Sequence, residues 1–334
     1  MHNLLARFPQ RTEAYLAVII IAIGAVLALL SPAFLTLANV VDLLESSSVA
    51  AILAVGVFVV LVAGGIDISF AATASVAQYA SAYAAARLGV PALPAIALGL
   101  LVGFALGVVN AVLIHVLKVI SIIITIATMS VYFALLMYAT GAKSIYDLPD
   151  WWTQRWVFYK TMSADGDPIR ITLPIVVMVV VAALTWLLMN KSRAGRQLYA
   201  MGGNPEAARR LGINIGAMHF LAYGYLGLLA GIAGLLQAHR VQEAVPNAMV
   251  GQELNVLAAA VLGGASLVGG IGTVGGVLLG VLLLAMLQNG LNLLGVSSYF
   301  FQIVIGIVIL VSTSITGLSE KRGRRRLAPG EARG

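Results

Sequence analysis

Long apolar stretches that alternate with short polar segments form the main pattern of this 334-residue chain. Each apolar stretch is about 20 residues long, which is the length that an α-helix needs to cross the hydrocarbon core of a membrane. The pattern predicts an all-α, polytopic integral membrane protein with about ten transmembrane helices. The predicted spans are 14–31, 46–64, 68–87, 93–117, 120–140, 171–190, 215–238, 253–270, 273–294 and 298–318.

The first span differs from a signal peptide in length, and the last three spans have no charged residue to mark the boundaries between them. The apolar run 14–30 is longer than the usual signal core of roughly 7–15 residues, so we expect a retained helix and not a cleaved signal. Residues 254–319 contain no charged side chain and have room for three spans. Their boundaries stay open, because the glycines at 263–276 can break a helix inside a membrane as well as end one.

Composition and charge agree with a membrane protein. Charged residues make up 10% of the chain, whereas soluble domains carry about 25%. If the N-terminus is cytoplasmic, fourteen of the twenty Lys and Arg residues fall on the cytoplasmic side, as the positive-inside rule favours. This topology predicts that both termini are cytoplasmic, and it explains the net charge of +7 without a nucleic-acid partner.

The largest predicted outer loop, 141–170, is rich in aromatic residues, which are Trp151, Trp152, Trp156, Phe158 and Tyr159. One interpretation is an aromatic belt, in which amphipathic rings lie at the level of the lipid headgroups. The other is a docking surface for an external partner. The sequence leaves both interpretations open.

The polar segment 191–214 carries helix signals of its own between two uncharged spans. Asn204 is a suitable N-cap, Pro205 suits the first helical position, and Gly212 can adopt the left-handed conformation that ends a helix. We therefore predict a short helix over Pro205–Leu211 that docks a cytosolic partner, with small alanines that let the partner come close. The residues assigned to this coupling are Asn204, Pro205, Glu206, Ala207, Ala208, Arg209, Arg210, Leu211 and Gly212.

Two further features concern the interior of the membrane. For Asp67, in the sequence GGIDIS, one interpretation is that either Asp67 or Ser69 caps the third helix, and the other is that Asp67 has a role in gating or in the substrate path. Glycines at every fourth position predict close helix packing, by default within one subunit. They are Gly99, Gly103 and Gly107 in the fourth span and Gly272, Gly276 and Gly280 in the ninth.

Motifs of catalysis are absent from the sequence, which contains no GxxxxGK[ST], HExxH or GxSxG. We therefore expect neither an enzyme nor a cofactor in this chain. A transport protein without a nucleotide-binding motif either conducts passively or takes its energy from a partner. The capped helix favours a partner.

Several segments resemble one family. EAARRLG at 206–212 is similar to the EAAxxxG core of the coupling loop in permease subunits of bacterial ABC importers. VAGGIDIS at 62–69, GVVN at 107–110 and AMGGNPE at 200–206 resemble the ribose-type branch of these permeases. The resemblance extends over about residues 15–318.

The resemblance implies one transmembrane permease domain over 1–334, multi-pass in the bacterial inner membrane. It implies a second permease copy, in a homodimer or a heterodimer, and ABC ATPase subunits that bind the ATP. It also implies an extracytoplasmic solute-binding protein and a monosaccharide or similar polyol-like cargo. In this family mechanism the predicted spans six and seven, which flank the coupling helix, would transmit its motion.

A neutral sugar needs no counter-charge, so hydroxyl and amide side chains suffice for its path. The candidates for gating or for the pathway are Asp67, Ser69, Thr73, Gln78, Asn110, Gln288, Asn289, Asn292 and Gln302. Each can instead form an interhelical hydrogen bond. The alternatives are a branched-chain amino acid permease and, from other classes, an ion-coupled secondary transporter or a passive channel.

Overall fold

The computed structural model describes residues 8–162 and 168–297, and isolated positions between 300 and 310. Most of the predicted tenth span, 298–318, therefore lies outside the described residues. The long helices are α1 (Phe8–Leu30), α2 (Leu37–Val62), α3 (Phe70–Arg87), α4 (Ala92–Leu117), α5 (Ser121–Thr140), α7 (Leu173–Lys191), α10 (Ile215–Val241) and α12 (Val274–Leu293). The shorter elements are α6 (Asp150–Thr153), β1 (Val157–Met162), β2 (Pro168–Thr172), α8 (Arg193–Gly203), α9 (Pro205–Arg210) and α11 (Gln252–Leu262).

Seven helices in the described part of the chain are long and apolar enough to cross a membrane. Helix α3 does not meet this criterion, since serine, threonine, tyrosine, glutamine and Arg87 lower its mean hydropathy, but it is mostly buried between other helices. In the predicted span 253–270 the helix is shorter than the span: α11 ends at Leu262 after 11 residues, just before the glycines at which the sequence left the boundary open. Gly264 has a φ of +91° and Gly269 a φ of +100°, so the backbone leaves the helix and turns before α12 begins.

Helices α2 and α10 form the centre of the bundle. Helix α2 is buried continuously from Ala51 to Val62 and packs against α7, α10, α11 and α12. Helix α10 packs against α2, α3 and α4. In contrast, α1, α4, α5 and α7 expose many large apolar side chains, as a lipid-facing surface requires.

Glycines allow α4 and α10 to cross in backbone contact. A Cβ atom at Gly103 would overlap the carbonyl oxygen of Gly227, and one at Gly107 would overlap that of Tyr223. Gly99 lies on the same face, against Gly231. The predicted packing of this glycine series within the subunit is confirmed.

The second glycine series behaves differently along its length. Gly276 and Gly280 press α12 against the backbone of α11 at Gly263 and Ala259. Gly272 precedes α12 and belongs to the loop before it, with a φ of +142°. Two of the three predicted positions therefore pack helices within the subunit.

The outer segment folds against one end of the bundle, and we call this end the hairpin end. Strands β1 and β2 pair antiparallel, and α6 precedes them. Trp152 is buried in a small core of its own, where its carbonyl oxygen lies 2.6 Å from Nδ1 of His239. Trp156, Phe158 and Tyr159 are exposed, so the belt and the docking surface both remain predictions for them.

Candidate functional site

The polar segment forms two consecutive helices at the end of the bundle opposite the hairpin, and we call this end the α9 end. Helix α9 begins where predicted: the Asn204 side chain accepts a hydrogen bond of 3.0 Å from the Ala207 amide, with Pro205 in the first turn. It ends at Arg210, one residue earlier than predicted, and Gly212 follows with a φ of +80°. The short capped helix is confirmed as a structure, and its docking role stays a prediction.

Most side chains of α9 project into solvent. Pro205, Glu206, Ala207, Arg209 and Arg210 are exposed, and Glu206 and Arg210 form an ion pair of 3.4 Å on the surface. Such an exposed pair contributes little to stability, so it leaves both charges available to a partner.

The apolar contact positions of α9 differ from the sequence expectation. Ala208 is only 2% exposed and packs into the protein's own core, so the idea that it faces a partner is wrong. Leu211 is 79% exposed directly after the helix. Ala207 and Leu211 therefore form the apolar part of the free surface, while Ala208 fastens α9 to the bundle.

Helix α8 holds α9 in position through an apolar face. The Ser192 side chain caps α8 by accepting a bond of 2.9 Å from the Gly195 amide. Leu198 and Met201 are buried in the core one turn apart. Tyr199 donates a bond of 2.8 Å to the carbonyl oxygen of Gly272, and burial raises the pKa of Tyr199 to about 12, so the donor proton is retained at neutral pH.

A cavity of about 460 Å³ lies between α2, α10, α11 and α12. It is of the size that holds small ligands in proteins. On α2 the lining positions extend from Asp42 to Leu53, and on α12 from Val281 to Asn292. Each set spans twelve residues on one face of its helix, and the eleven steps between its ends correspond to a depth of about 16 Å.

The lining changes from polar to apolar along this depth. Ser46, Gln252 and Gln288 are exposed at the hairpin end of α2, α11 and α12. Leu53 and Val281 are buried at the other end of the cavity, 1% and 5% exposed. The cavity thus has a polar mouth at the hairpin end and an apolar floor in the middle of the bundle.

Two charged side chains line the mouth. Arg240 of α10 lies 3.4 Å from the carbonyl oxygen of Ser46 and 3.5 Å from the side-chain oxygen of Gln237. Asp42 of α2 is exposed on the same rim. Carboxylates accept and guanidinium groups donate hydrogen bonds, so the mouth offers both partners to a hydroxylated ligand.

Three of the predicted pathway residues line this cavity: Gln288, Asn289 and Asn292. Asn289 is also engaged between helices, since its amide exchanges two hydrogen bonds of 2.9 Å with Asn39. The other polar lining residues were not predicted from the sequence; they are Asp42, Ser46, Ser47, Gln237, Arg240, Gln252 and Asn255. The signal for them was polar residues spaced three or four apart near the ends of predicted spans.

Asp67 lies elsewhere, in a buried polar cluster at the α9 end. Its Oδ1 accepts hydrogen bonds of 2.7 Å from both the amide and the hydroxyl of Ser69. Its Oδ2 accepts one of 3.2 Å from Asn110 of α4, whose Oδ1 accepts one of 3.3 Å from Tyr132 of α5. Asp67 is 2% exposed and forms no ion pair with any described residue.

Of the two residues in the helix-cap hypothesis, Ser69 does not cap α3 with its side chain, and Asp67 binds only the amide of the N-cap residue, Ser69. Ser69 occupies the N-cap position of α3 but makes no capping hydrogen bond, because its hydroxyl is directed to Asp67. The loop before α3 is instead held by α5, where Ser121 and Thr125 accept bonds from the amides of Ile66 and Ile68. Asp67 therefore ties three parts of the bundle together, and gating remains a prediction.

The other predicted pathway residues do not line the cavity. Thr73 is buried in α3. Gln78 is also buried there and donates a bond of 2.6 Å to the carbonyl oxygen of Val245, while its own oxygen has no described partner. Gln302 is exposed. Gln78 thus ties α3 to the loop between α10 and α11 and is not a wall of the cavity.

Comparison with known proteins identifies the family. A family model described as branched-chain amino acid transport system / permease component matches residues 39–313. The chain belongs to this permease family. The resemblance to importer permeases that the coupling segment and the GGIDIS loop carry is confirmed.

Three relatives have names of sugar permeases. The permease is 37% identical over 300 residues to the ribose import permease of Escherichia coli K12. The aligned region covers 87% of this chain and 89% of the relative. The permease is 36% identical to the ribose import permease of Bacillus subtilis, with 91% of each chain covered. It is 30% identical to the galactose/methyl galactoside import permease of E. coli K12, with 93% and 95% covered. No solved structure matches the permease.

The Asp67 cluster gives a prediction about stability. Asp67→Asn replaces the oxygen that accepts the bond from Asn110 with an NH2 group, so that two donors face each other. A buried donor without an acceptor lowers the free energy of unfolding by about 1–3 kcal/mol. We expect a lower thermal unfolding midpoint for the purified permease. The exchange variant Asp67→Asn/Asn110→Asp restores a donor–acceptor pair and should recover part of the loss.

Two results would contradict this account of the cluster. One is a single Asp67→Asn variant as stable as the wild type. The other is an exchange variant no more stable than the single variant.

Proposed function

We propose that this permease is the membrane subunit of an ATP-driven importer of a monosaccharide or similar polyol-like solute. The observation that carries the proposal is α9, a capped helix with an exposed apolar tip that is anchored in the core through Ala208. A rigid element of this kind gives a separate ATPase subunit a surface through which it can move the permease. The names of the relatives support the sugar as cargo.

The chemistry of the cavity supports a neutral hydroxylated cargo. Its mouth contains the amides Gln252, Gln288 and Asn292, which can both donate and accept hydrogen bonds. The apolar floor suits the carbon face of a sugar ring. The family description names branched-chain amino acids, but the relatives named above import sugars, and this favours a sugar over an amino acid.

The energy source in the proposal is an ABC ATPase that binds α9. Closure of its two domains on ATP would displace α9 and so change the cavity. An ion-coupled transporter would be expected to hold several buried acids, whereas Asp67 is the only buried carboxylate among the described residues. A passive channel would have no use for a docking helix.

The permease is a multi-pass protein of the inner membrane, and the proposal puts α8, α9 and both termini in the cytosol. The five basic residues of the polar segment, which are Lys191, Arg193, Arg196, Arg209 and Arg210, are all exposed at the α9 end. The positive-inside rule favours the cytosol for such a surface. The cavity mouth then faces outward, where an extracytoplasmic solute-binding protein delivers the sugar.

A second permease completes the assembly in this proposal. Leu101 of α4 and Leu135 of α5 are 64% and 61% exposed, so lipid or another permease must cover these helices. The two copies would present one α9 helix to each of two ATPase domains.

The docking role of α9 is tested by changing its free apolar surface. Leu211→Ser removes the exposed leucine, and Ala207→Trp inserts bulk where a partner surface would lie. We expect both variants to insert normally, to lose most of the co-purified ATPase, and to lose sugar uptake in parallel. Leu35→Ser is the matched control, because Leu35 is 66% exposed at the hairpin end, far from α9.

Co-purification of the ATPase and uptake are measured on the same membranes. If both α9 variants retain the ATPase and take up sugar as the wild type does, the docking assignment is wrong. Equal losses in the Leu35→Ser control would show that the assay reports general damage.

The transport role of the cavity is tested by filling it. Ala285 is half-buried on the cavity face of α12, so Ala285→Trp should obstruct the path between the mouth and the floor. Because the indole would occupy the path, we expect most of the sugar uptake to be lost while the ATPase stays bound. Ile21→Trp is the control, because Ile21 is 70% exposed on α1 and does not line the cavity. Normal uptake through an Ala285→Trp permease would exclude this cavity as the path.

A further inference from the structure

Three segments of the permease meet backbone to backbone at the α9 end. They are the last turn of α2 with the residues after it, the last turn of α8, and the loop between α11 and α12. We call this contact the glycine junction and define it by Val62, Gly64, Gly202, Gly269 and Gly270. A Cβ atom at Gly202, Gly269 or Gly270 would lie within 3.0 Å of the facing backbone, whereas one at Gly64 would be in ordinary contact, 3.4 Å from the Cα of Gly202.

The geometry of the junction is tight. The amide of Gly270 donates a hydrogen bond of 2.9 Å to the carbonyl oxygen of Val62. A Cβ atom at Gly202 would overlap that same oxygen and lie 2.7 Å from the nitrogen of Gly270. A Cβ atom at Gly269 would lie 2.8 Å from the Cα of Gly64. Backbones this close cannot move independently without breaking the contact.

The junction lies directly beside the docking helix. Gly202 is in the last turn of α8, and the N-cap of α9, Asn204, is two residues further along the chain. No flexible linker separates them, because α8 ends at Gly203 and α9 begins at Pro205. A displacement of α9 therefore also displaces Gly202.

The junction also touches the helices that form the cavity. Val62 is the last residue of α2, and Gly269 and Gly270 lie in the loop that joins α11 to α12. The bond from Tyr199 to the carbonyl oxygen of Gly272 adds a second tie, just before the N-cap of α12 at Thr273. Three of the four cavity helices are thus tied at the α9 end: α2 directly, and α11 and α12 through the loop that joins them.

We propose that Gly202 is a positioning residue for transport, because the glycine junction carries displacement of α9 to the cavity walls formed by α2, α11 and α12. This inference rests on the proposed function and names the route inside it. The sequence pointed instead to the helices that flank the coupling segment, α7 and α10. Those helices pack against α8, but α7 contributes no residue to the cavity lining.

The test compares two neighbouring glycines in the complete transporter, reconstituted with its ATPase and its binding protein. Gly202→Ala must push the junction apart. Gly203→Ala is the matched control, because a Cβ atom there meets nothing within 4 Å and the residue is helical. Sugar uptake and ATP hydrolysis are both measured per assembled complex, so the result does not depend on how much protein accumulates.

We expect Gly202→Ala to keep its ATPase and to hydrolyse ATP while the sugar moved per ATP falls on the order of tenfold, a size typical of coupling between sites. Gly203→Ala should match the wild type. A merely structural role of Gly202 would lower the amount of complex and leave the ratio unchanged. An unchanged ratio in Gly202→Ala would overturn the proposal.

A substitution that adds no atom tests the proposal if the Gly202→Ala permease does not assemble with its partners. Tyr199→Phe removes the hydroxyl bond to Gly272 without adding any atom. We expect a reduced ratio of sugar to ATP, and a wild-type ratio in this variant would overturn the proposal. Failure of the proposed function is a distinct result: the wild-type permease would then bind no ATPase, whatever the state of the junction.

Discussion

The backbone contact between Gly202 and Val62 is the constraint on which the rest of this structure depends. It exists only because no side chain intervenes, and it brings the end of α8 against the end of the most deeply buried helix, α2. The hydrogen bond from Gly270 to Val62 closes the same contact from the side of the α11–α12 loop. In a membrane such a loop is tolerated only where the protein satisfies its polar backbone groups, and this contact meets part of that requirement.

The two ends of the permease differ in the side chains and contacts that they present. At the hairpin end, polar residues of α2, α11 and α12 surround a mouth that can exchange hydrogen bonds with a hydroxylated solute. At the α9 end, the same helices are fastened by short backbone contacts and present no cavity lining. A neutral cargo needs neither a counter-charge nor a metal along this path. The absence of a nucleotide-binding motif in the chain agrees with energy that arrives from outside, through the exposed surface of α9.

The sequence predicted those features that depend on neighbouring residues or on the bilayer. Apolar length identified most helices, since lipid permits few other structures. The caps Asn204 and Gly212 identified α9, because capping is a local interaction. The burial of Ala208 and the Asp67–Asn110 pair could not be predicted in this way. Each depends on which distant segments meet, and a single sequence does not specify that.

Site-specific photo-cross-linking tests the central claim, that α9 is where the ATPase binds, most directly. A photoreactive amino acid is placed at Leu211 in one permease and at Leu35 in another, both of them exposed positions. The account predicts a covalent product between the ATPase and the permease labelled at Leu211, and none from Leu35. An ATPase that co-purifies with the permease but forms no product from Leu211 would contradict it.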